Sequence, residues 1–204
     1  MAMSRSEHRT GSAADLLVVG LGNPGDEYAQ TRHNAGAWVA DELVRRHGQR
    51  LRRARRESAL VEELGLGDQR LIVAVPLTYM NDSGRAVGRL MRRYRIEDLE
   101  RLVVIHDEID LAVGRMKVKI GGGLAGHNGL RSIRAHLHSD AFTRVRIGVG
   151  RPEHTPKGGD YVLERPSKTE RADLERVVAR AADAVEHLVA FGTESAMNRF
   201  NPDD

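Results

Sequence analysis

Two polar clusters in the sequence place an imidazole and a carboxylate just after apolar runs. His33 follows a glycine-rich turn that ends the run 16–19, and Asp107 follows the run 102–105. Both runs are typical of buried strands, and ligands of open α/β sheets bind just beyond strand carboxyl ends. Histidine can take up a proton near neutral pH, and a bound carboxylate fixes its tautomer and stabilises the imidazolium. We therefore expect His33 to act as a general base that Asp107 orients.

Three asparagines follow turn or loop signals at the same predicted edge. They are Asn23, Asn81 and Asn128. Each one alone is typical of a turn or a helix cap. Three converging amides would be costly to bury unpaired, so together they would suit a site that binds a peptide-like substrate and positions a water molecule.

A glycine-rich segment at 121–129 precedes a predicted helix and could present backbone amides and a helix dipole to an anion. Lys117, Lys119 and Arg146 lie close enough in the predicted sheet to assist in binding a phosphate. The alternative is structural: the glycines would form a hinge, and the lysine pair would protect an edge strand from aggregation.

Two further site types are weaker hypotheses. Residues 20–25 match G-x-G-x-x-G, but Pro24 and a polar segment at 28–34 delay the helix that a dinucleotide site requires at its glycines. The acidic and imidazole groups at 106–110, with His33 and His127, could ligate a metal. They lack the H-E-x-x-H spacing. We expect neither a metal nor an organic cofactor.

The periodicity of the chain predicts one α/β domain over residues 15–204, with a flexible leader at 1–14. The domain has three layers, with helices flanking a mixed, mostly parallel twisted sheet. Predicted helices cover 35–46, 78–94, about 129–137 and 168–191, with a short continuation at 196–200. Predicted strands cover 15–19, 58–64, 70–75, 102–105, 116–120, 145–149 and 161–163. The arginine-dense connector at 45–56 is either a solvated loop or an exposed basic patch.

Composition limits the class of protein. Hydrophobic residues make up 40% and charged residues 30% of the 204 residues, as in soluble globular proteins. The sequence has no apolar run long enough to cross a bilayer and no signal-peptide core, so we expect no membrane association. With no cysteine it has no thiolate chemistry, which agrees with a cytoplasmic location. The formal net charge of +3 and the pI of about 9.5 permit a polyanionic partner.

Five motifs in order resemble the bacterial peptidyl-tRNA hydrolase family. They are V-G-L-G-N-P-G-x-x-Y-x-x-T-R-H-N at 19–34, Y-M-N-x-S-G at 79–84, H-D-E-I-D at 106–110, K-I-G-G-G-x-x-G-H-N-G-L at 119–130 and R-V-R-I-G-V-G-R-P at 144–152. The resemblance covers about residues 16–200. The sequence departs from the family pattern at Leu124, Ala125 and Asp82, and the first two concern the flexibility of the glycine loop.

The resemblance implies a cofactor-free, monomeric hydrolase that frees tRNA from peptidyl-tRNA during translation. It implies that His33 is the base, that Asp107 holds it, and that Asn23 recognises the peptide end. Asn81 and Asn128 would bind substrate and water, and Tyr28 and Tyr79 would line the site. Lys119 and Arg146, with Lys117 assisting, would hold the 5′-phosphate of the tRNA.

Two other functions remain alternatives on the sequence alone. A non-catalytic RNA-binding protein could use the same basic residues, and it would form a stable complex with peptidyl-tRNA. A nicotinamide-dependent oxidoreductase is the third hypothesis, based on the glycine motif at 20–25.

Overall fold

A computed structural model describes residues 13–151 and 158–201. The strands are β1 (Leu16–Gly20), β2 (Arg52–Ala54), β3 (Ala59–Leu66), β4 (Gln69–Pro76), β5 (Leu102–Glu108), β6 (Met116–Ile120) and β7 (Thr143–Gly148). The helices are α1 (Ala35–Arg46), α2 (Ser83–Tyr94), α3 (Asn128–Leu137), α4 (Gly158–Val162), α5 (Lys168–Phe191) and α6 (Thr193–Phe200). Short 3-10 turns cover Arg32–Asn34, Met80–Asp82 and Leu99–Arg101.

The described strands form one seven-stranded sheet in the order β2-β3-β4-β1-β5-β7-β6. The pairs β4–β1, β1–β5 and β5–β7 are parallel, and the outer pairs β2–β3, β3–β4 and β6–β7 are antiparallel. The mixed sheet expected from the sequence is confirmed. The loops after β1, β4 and β5 therefore emerge at one edge, which we call the carboxyl edge.

Helices cover both faces of the sheet. One apolar cluster joins α1 and α5 to one face, through residues such as Val103 and Ile105 of β5. The other joins α2 and α3 to the opposite face, through residues such as Leu102 and Val104. Alternate side chains of β5 thus enter different clusters, because successive residues of a strand point to opposite faces. Among the described helices, none is long and apolar enough to cross a membrane.

Some boundaries differ from the sequence-based expectation. The predicted strand at 161–163 is wrong, since the segment lies in and just after α4, where Tyr161 donates its hydroxyl to the Val149 carbonyl. The arginine-dense connector contains an edge strand, β2, that the apolar pattern could not reveal. The leader predicted at 1–14 lies mostly outside the described residues. Ala14 is fully buried and donates its amide to the Tyr94 carbonyl, so it belongs to the fold.

Two glycines bring β1 and α1 into direct backbone contact. A Cβ atom at Gly20 would lie 2.3 Å from the Gly36 carbonyl oxygen, and one at Gly36 would lie 2.2 Å from the Ile105 carbonyl oxygen. Any side chain there would force the helix away from the sheet. Because α1 follows the turn that contains His33, this contact sets the position of His33 over the sheet.

We predict that Gly36→Ala destabilises the protein by about 3 kcal/mol, since close-packed backbone has no room for a methyl group. Gly65→Ala is the matched control, because nothing lies within 4 Å of its Cβ position. Urea denaturation of both variants measures the difference. Equal stability of the two variants would contradict the proposed close contact.

Candidate active site

A cleft of about 600 Å³ opens at the carboxyl edge. Its walls come from the loop after β1, the loop before α2, the end of β5, the start of α3 and the segment around α4. The lining residues are Asn23, His33, Tyr79, Met80, Asn81, Asp107, Glu108, Ile109, Ala125, Gly126, His127, Asn128, Gly159, Val162 and Leu163. Five of the residues expected from the sequence analysis at this edge, His33, Asp107 and the three asparagines, therefore line the same cavity.

The Asp107 carboxylate lies between two imidazoles. His33 Nδ1 is 2.8 Å from Asp107 Oδ1, and His127 Nε2 is 3.1 Å from the same oxygen. All three residues are less than 10% exposed. The sequence indicates His127 only as a candidate metal ligand, whereas in the structure it contacts Asp107.

His127 also begins α3. Its Nδ1 accepts hydrogen bonds from the amides of Gly129 and Leu130 at 3.1 and 3.4 Å. A ring nitrogen that accepts carries no hydrogen, so Nε2 is the protonated nitrogen that donates to Asp107. The start of α3 thereby fixes the direction of this hydrogen bond.

The carboxylate of Asp107 is kept ionised. Burial alone would raise its pKa, but the positive potential of His33 and His127 and their hydrogen bonds outweigh burial and lower the pKa well below its usual range. The negative charge therefore persists across neutral pH. It is available to stabilise a positive charge on an adjacent imidazole.

A third histidine, His106, lies behind this group. Its Nδ1 donates to the Asp107 carbonyl at 2.7 Å, and its ring meets that of His127 edge-on with centroids 5.0 Å apart. Burial, followed by repulsion from His127, lowers the pKa of His106 to about 3. Its Nε2 is buried and has no partner among the described residues. His106 is therefore neutral at physiological pH.

The His33–Asp107–His127 group also has the donor types of a metal site. One ligand atom from each residue lies within 4.8 Å of the others. In the structure both nitrogens lie at hydrogen-bond distance from one carboxylate oxygen. Zinc would need ligand distances of about 2.0–2.2 Å to each atom and would replace both hydrogen bonds. The distances between the three side chains are those of hydrogen bonds.

Asn23 is held by two loops. Its amide donates to Asn34 Oδ1 at 2.9 Å, and its carbonyl accepts from Asn34 Nδ2 at 3.0 Å. Its side-chain Oδ1 accepts from the Met80 amide at 2.8 Å. Asn23 also lines the cleft, and its side-chain NH2 group has no hydrogen-bond partner among the described residues.

The other polar residues expected in the site lie at different depths. Tyr79 is 62% exposed at the cleft rim, and Asn81 and Asn128 are exposed residues of the lining. Asn128 Oδ1 accepts from Arg131. Tyr28 lies in the turn before His33 and is not among the described residues that line the cleft.

The expected phosphate-binding cations lie on β6 and β7 beside the cleft. Lys117 is paired in register with Arg146, so their side chains share one face of the sheet. Arg146 binds Glu108 at 3.1 Å, and Glu108 lines the cleft. Lys119 Nζ packs near Gly122. These three cations form a basic flank next to the cavity rather than part of its wall.

Arg144 is a cation of this flank that the sequence analysis did not single out. It is only 2% exposed, and its Nη1 donates to the Gly123 carbonyl at 2.9 Å. Burial, followed by repulsion from Arg146, lowers the pKa of Arg144. Arg144 thus ties the glycine-rich loop to the sheet.

A salt-bridge network holds the wall of the cleft formed by α4. Arg32 binds both carboxylate oxygens of Glu170 at 2.9–3.0 Å, and its guanidinium lies 4.1 Å from the Tyr161 ring centroid. Glu170 also accepts from the Ser167 amide at the start of α5. Burial would raise the pKa of Glu170, but the hydrogen bonds from Ser167 and Arg32 lower it to about 2. The residue next to His33 is therefore anchored to two distant segments.

We predict that His106 makes the protein sensitive to acid. The unfolded chain binds a proton at His106 near pH 6.5 and the folded protein does so only near pH 3, so stability falls as the pH decreases between these values. His106 contributes about 1.4 kcal/mol per pH unit to the slope of the free energy of unfolding against pH below pH 6.5. Chemical denaturation from pH 7.5 to 5 should show a shallower slope for His106→Gln. Parallel slopes would show that folding does not lower the pKa of His106.

The fold and the cleft define a class of protein. It is an α/β protein with a buried histidine–carboxylate pair in a cavity lined with amides at the carboxyl edge of the sheet.

Comparison with known proteins gives the family. A family model described as peptidyl-tRNA hydrolase matches residues 17–204. The peptidyl-tRNA hydrolase of Mycobacterium avium (strain 104) is 49% identical over 187 residues, which are 92% of this chain and 97% of the relative. The peptidyl-tRNA hydrolase of Mycolicibacterium smegmatis is 47% identical over 186 residues, 91% of this chain and 97% of the relative. The crystal structure of peptidyl-tRNA hydrolase from Acinetobacter baumannii matches with a TM-score of 0.87 and 36% identity, covering 94% of this chain and 98% of that one. The chain therefore belongs to the peptidyl-tRNA hydrolase family.

Proposed function

We propose that this chain hydrolyses the ester between a peptide and the 3′ end of tRNA, with His33 as the general base and Asp107 as the group that orients it. The observation that carries the proposal is the 2.8 Å contact between His33 Nδ1 and Asp107 Oδ1 in the wall of the cleft. Family membership supplies the substrate class.

The hydrogen bond to Asp107 decides which ring nitrogen of His33 reacts. With Nδ1 occupied as the donor, Nε2 carries the free lone pair. In the proposed reaction Nε2 takes a proton from a water molecule as the water oxygen attacks the ester carbonyl. The ester C–O bond then breaks, and the imidazolium returns the proton to the departing 3′ oxygen of the tRNA. Asp107 stabilises the transient imidazolium.

Amide groups around the cleft supply the polar contacts that the reaction needs. We assign the developing negative charge on the carbonyl oxygen to the side-chain amide of Asn81 or Asn128, both in the lining. Asn23, whose Oδ1 is occupied by Met80, presents its NH2 group to a carbonyl of the peptide. Tyr79 would provide an exposed aromatic face at the rim. Tyr28, further away, would act through the turn that carries His33.

The basic flank would hold the phosphate at the 5′ end of the tRNA. Lys119 and Arg146, assisted by Lys117, supply the charges, and phosphate contacts of this kind position a nucleic acid without recognising its sequence. The contact between Arg146 and Glu108 connects this flank to the cleft.

We predict that His33→Ala lowers kcat by about a hundred- to ten-thousand-fold, the usual contribution of general-base catalysis. Affinity for tRNA should change little, because His33 lies in the cleft and not on the basic flank. Release of free tRNA from purified peptidyl-tRNA measures the rate, and the exposed-surface variant His47→Ala is the control. Full activity of His33→Ala would rule out this residue as the base, and a stable complex without cleavage by the wild type would identify a binding protein.

We predict that Asp107→Asn lowers kcat by about a hundred- to ten-thousand-fold while the protein stays folded. An asparagine amide can donate to His33 Nδ1, which would place the ring hydrogen on Nε2 and remove its lone pair. The same tRNA-release assay, with thermal denaturation as the folding check, tests this. A folded Asp107→Asn variant with unchanged kcat would show that the carboxylate has no part in the reaction.

A further inference from the structure

The arginines of the connector at 45–56 form two groups, which differ in their ion pairs. Arg45 and Arg46 bind Glu42, and Arg46 also binds Asp183 and Glu186. These ion pairs belong to the packing of α1 against α5. Arg55 and Arg56, at the other end of the connector, take no part in these ion pairs.

Five arginines gather where the turn after β2 meets α2. They are Arg55, Arg56, Arg89, Arg92 and Arg93, which we call the second basic surface. Arg89 Nη1 donates to Ser58 Oγ at 3.0 Å and to the Arg56 carbonyl at 3.4 Å. Arg93 binds Glu57 at 3.0 Å. These contacts place the turn directly against the second and third turns of α2.

The second basic surface carries a large excess of positive charge. Glu57 supplies one carboxylate, but it is only 6% exposed and is bound to Arg93. Arg55, Arg56 and Arg92 are exposed, and no described residue gives them an acidic partner. Like charges three or four positions apart on a helix oppose folding by a few tenths of a kcal/mol per pair. The helix dipole favours positive charge at the carboxyl end of α2, so it offsets this cost for Arg92 and Arg93 only.

The turn at 55–58 of this surface lies at the same edge of the sheet as the cleft, and α2 carries the other three arginines away from that edge. Ala59 of β3 is in register with Pro76 of β4, and the Leu77 amide donates to the Ser58 carbonyl at 2.7 Å. Tyr79, at the cleft rim, follows Leu77 by two residues. Four strand spacings of about 4.8 Å separate β3 from β7, so the turn at 55–58 and the basic flank are about 20 Å apart with the cleft between them.

We propose that the second basic surface binds the sugar–phosphate backbone of the substrate tRNA on the side of the cleft opposite Lys119 and Arg146. The inference rests on the proposed function, which places the tRNA end in the cleft. Arginine binds phosphate oxygens through paired N–H groups. Along α2, the distance from Ser83, which lies two residues after Asn81 at the rim, to Arg93 is about 15 Å at 1.5 Å per residue, long enough to follow several phosphates.

The test compares Arg55→Ala/Arg56→Ala with Arg50→Ala/Arg101→Ala. The second pair removes the same charge from exposed positions at the opposite edge of the sheet, at the start of β2 and of β5. For hydrolysis of full-length peptidyl-tRNA we expect the first variant to raise KM about two- to thirtyfold, with kcat unchanged. The slope of log KM against log salt should fall by about 1 to 2, since two phosphate contacts are lost. Arg55→Lys/Arg56→Lys should keep most of that slope.

A short substrate separates this proposal from the proposed function. The same peptidyl ester on the 3′-terminal trinucleotide cannot reach the second basic surface, so both double variants should cleave it like the wild type. If the wild type cleaves neither substrate, the proposed function fails. If it cleaves both and Arg55→Ala/Arg56→Ala has a wild-type KM and salt slope on tRNA, the surface does not bind tRNA. If polyglutamate inhibits the wild type but not Arg55→Ala/Arg56→Ala, and this variant keeps the wild-type KM for peptidyl-tRNA, the surface binds an acidic protein partner instead.

Discussion

A buried negative charge at Asp107 is the constraint on which the site depends. A carboxylate withdrawn from water must be surrounded by donors, and an unpaired one would cost several kcal/mol. The protein meets this requirement with two imidazoles from different parts of the chain, one on the 3-10 turn before α1 and one at the start of α3. Three elements must therefore arrive at one point. The sheet, the glycine contact between β1 and α1, and the glycine-rich loop before α3 together make this possible.

The surrounding networks act on the position of these elements. Arg32, the neighbour of His33 in sequence, is bound to Glu170 and to the backbone of the α4 segment. Arg144 binds the loop that leads to His127. A buried arginine therefore restrains the backbone near each imidazole: Arg32 near His33, and Arg144 near His127. Both arginines use partners distant in sequence, so the site is braced by tertiary structure rather than by local turns.

Much of the fold and the centre of the site could be predicted from the sequence. The alternation of apolar runs and helical periodicity gave the α/β class, and the rule that ligands bind beyond strand ends brought His33 and Asp107 together. The contact of His127 with Asp107 was not predictable in this way, because a histidine before a helix is also a common cap. The strand predicted at 161–163 failed because three apolar residues carry no usable period. Arg32 and Glu170 are 138 positions apart, and no local pattern links them.

The double use of His127 has a consequence for turnover. Because Nδ1 of His127 accepts from the amides that begin α3, its tautomer is locked and its bond to Asp107 cannot reverse. The carboxylate therefore keeps one fixed donor whether His33 is neutral or charged. In the proposed reaction, little reorientation of dipoles would accompany proton transfer at His33, because this donor to Asp107 is in place before the substrate arrives.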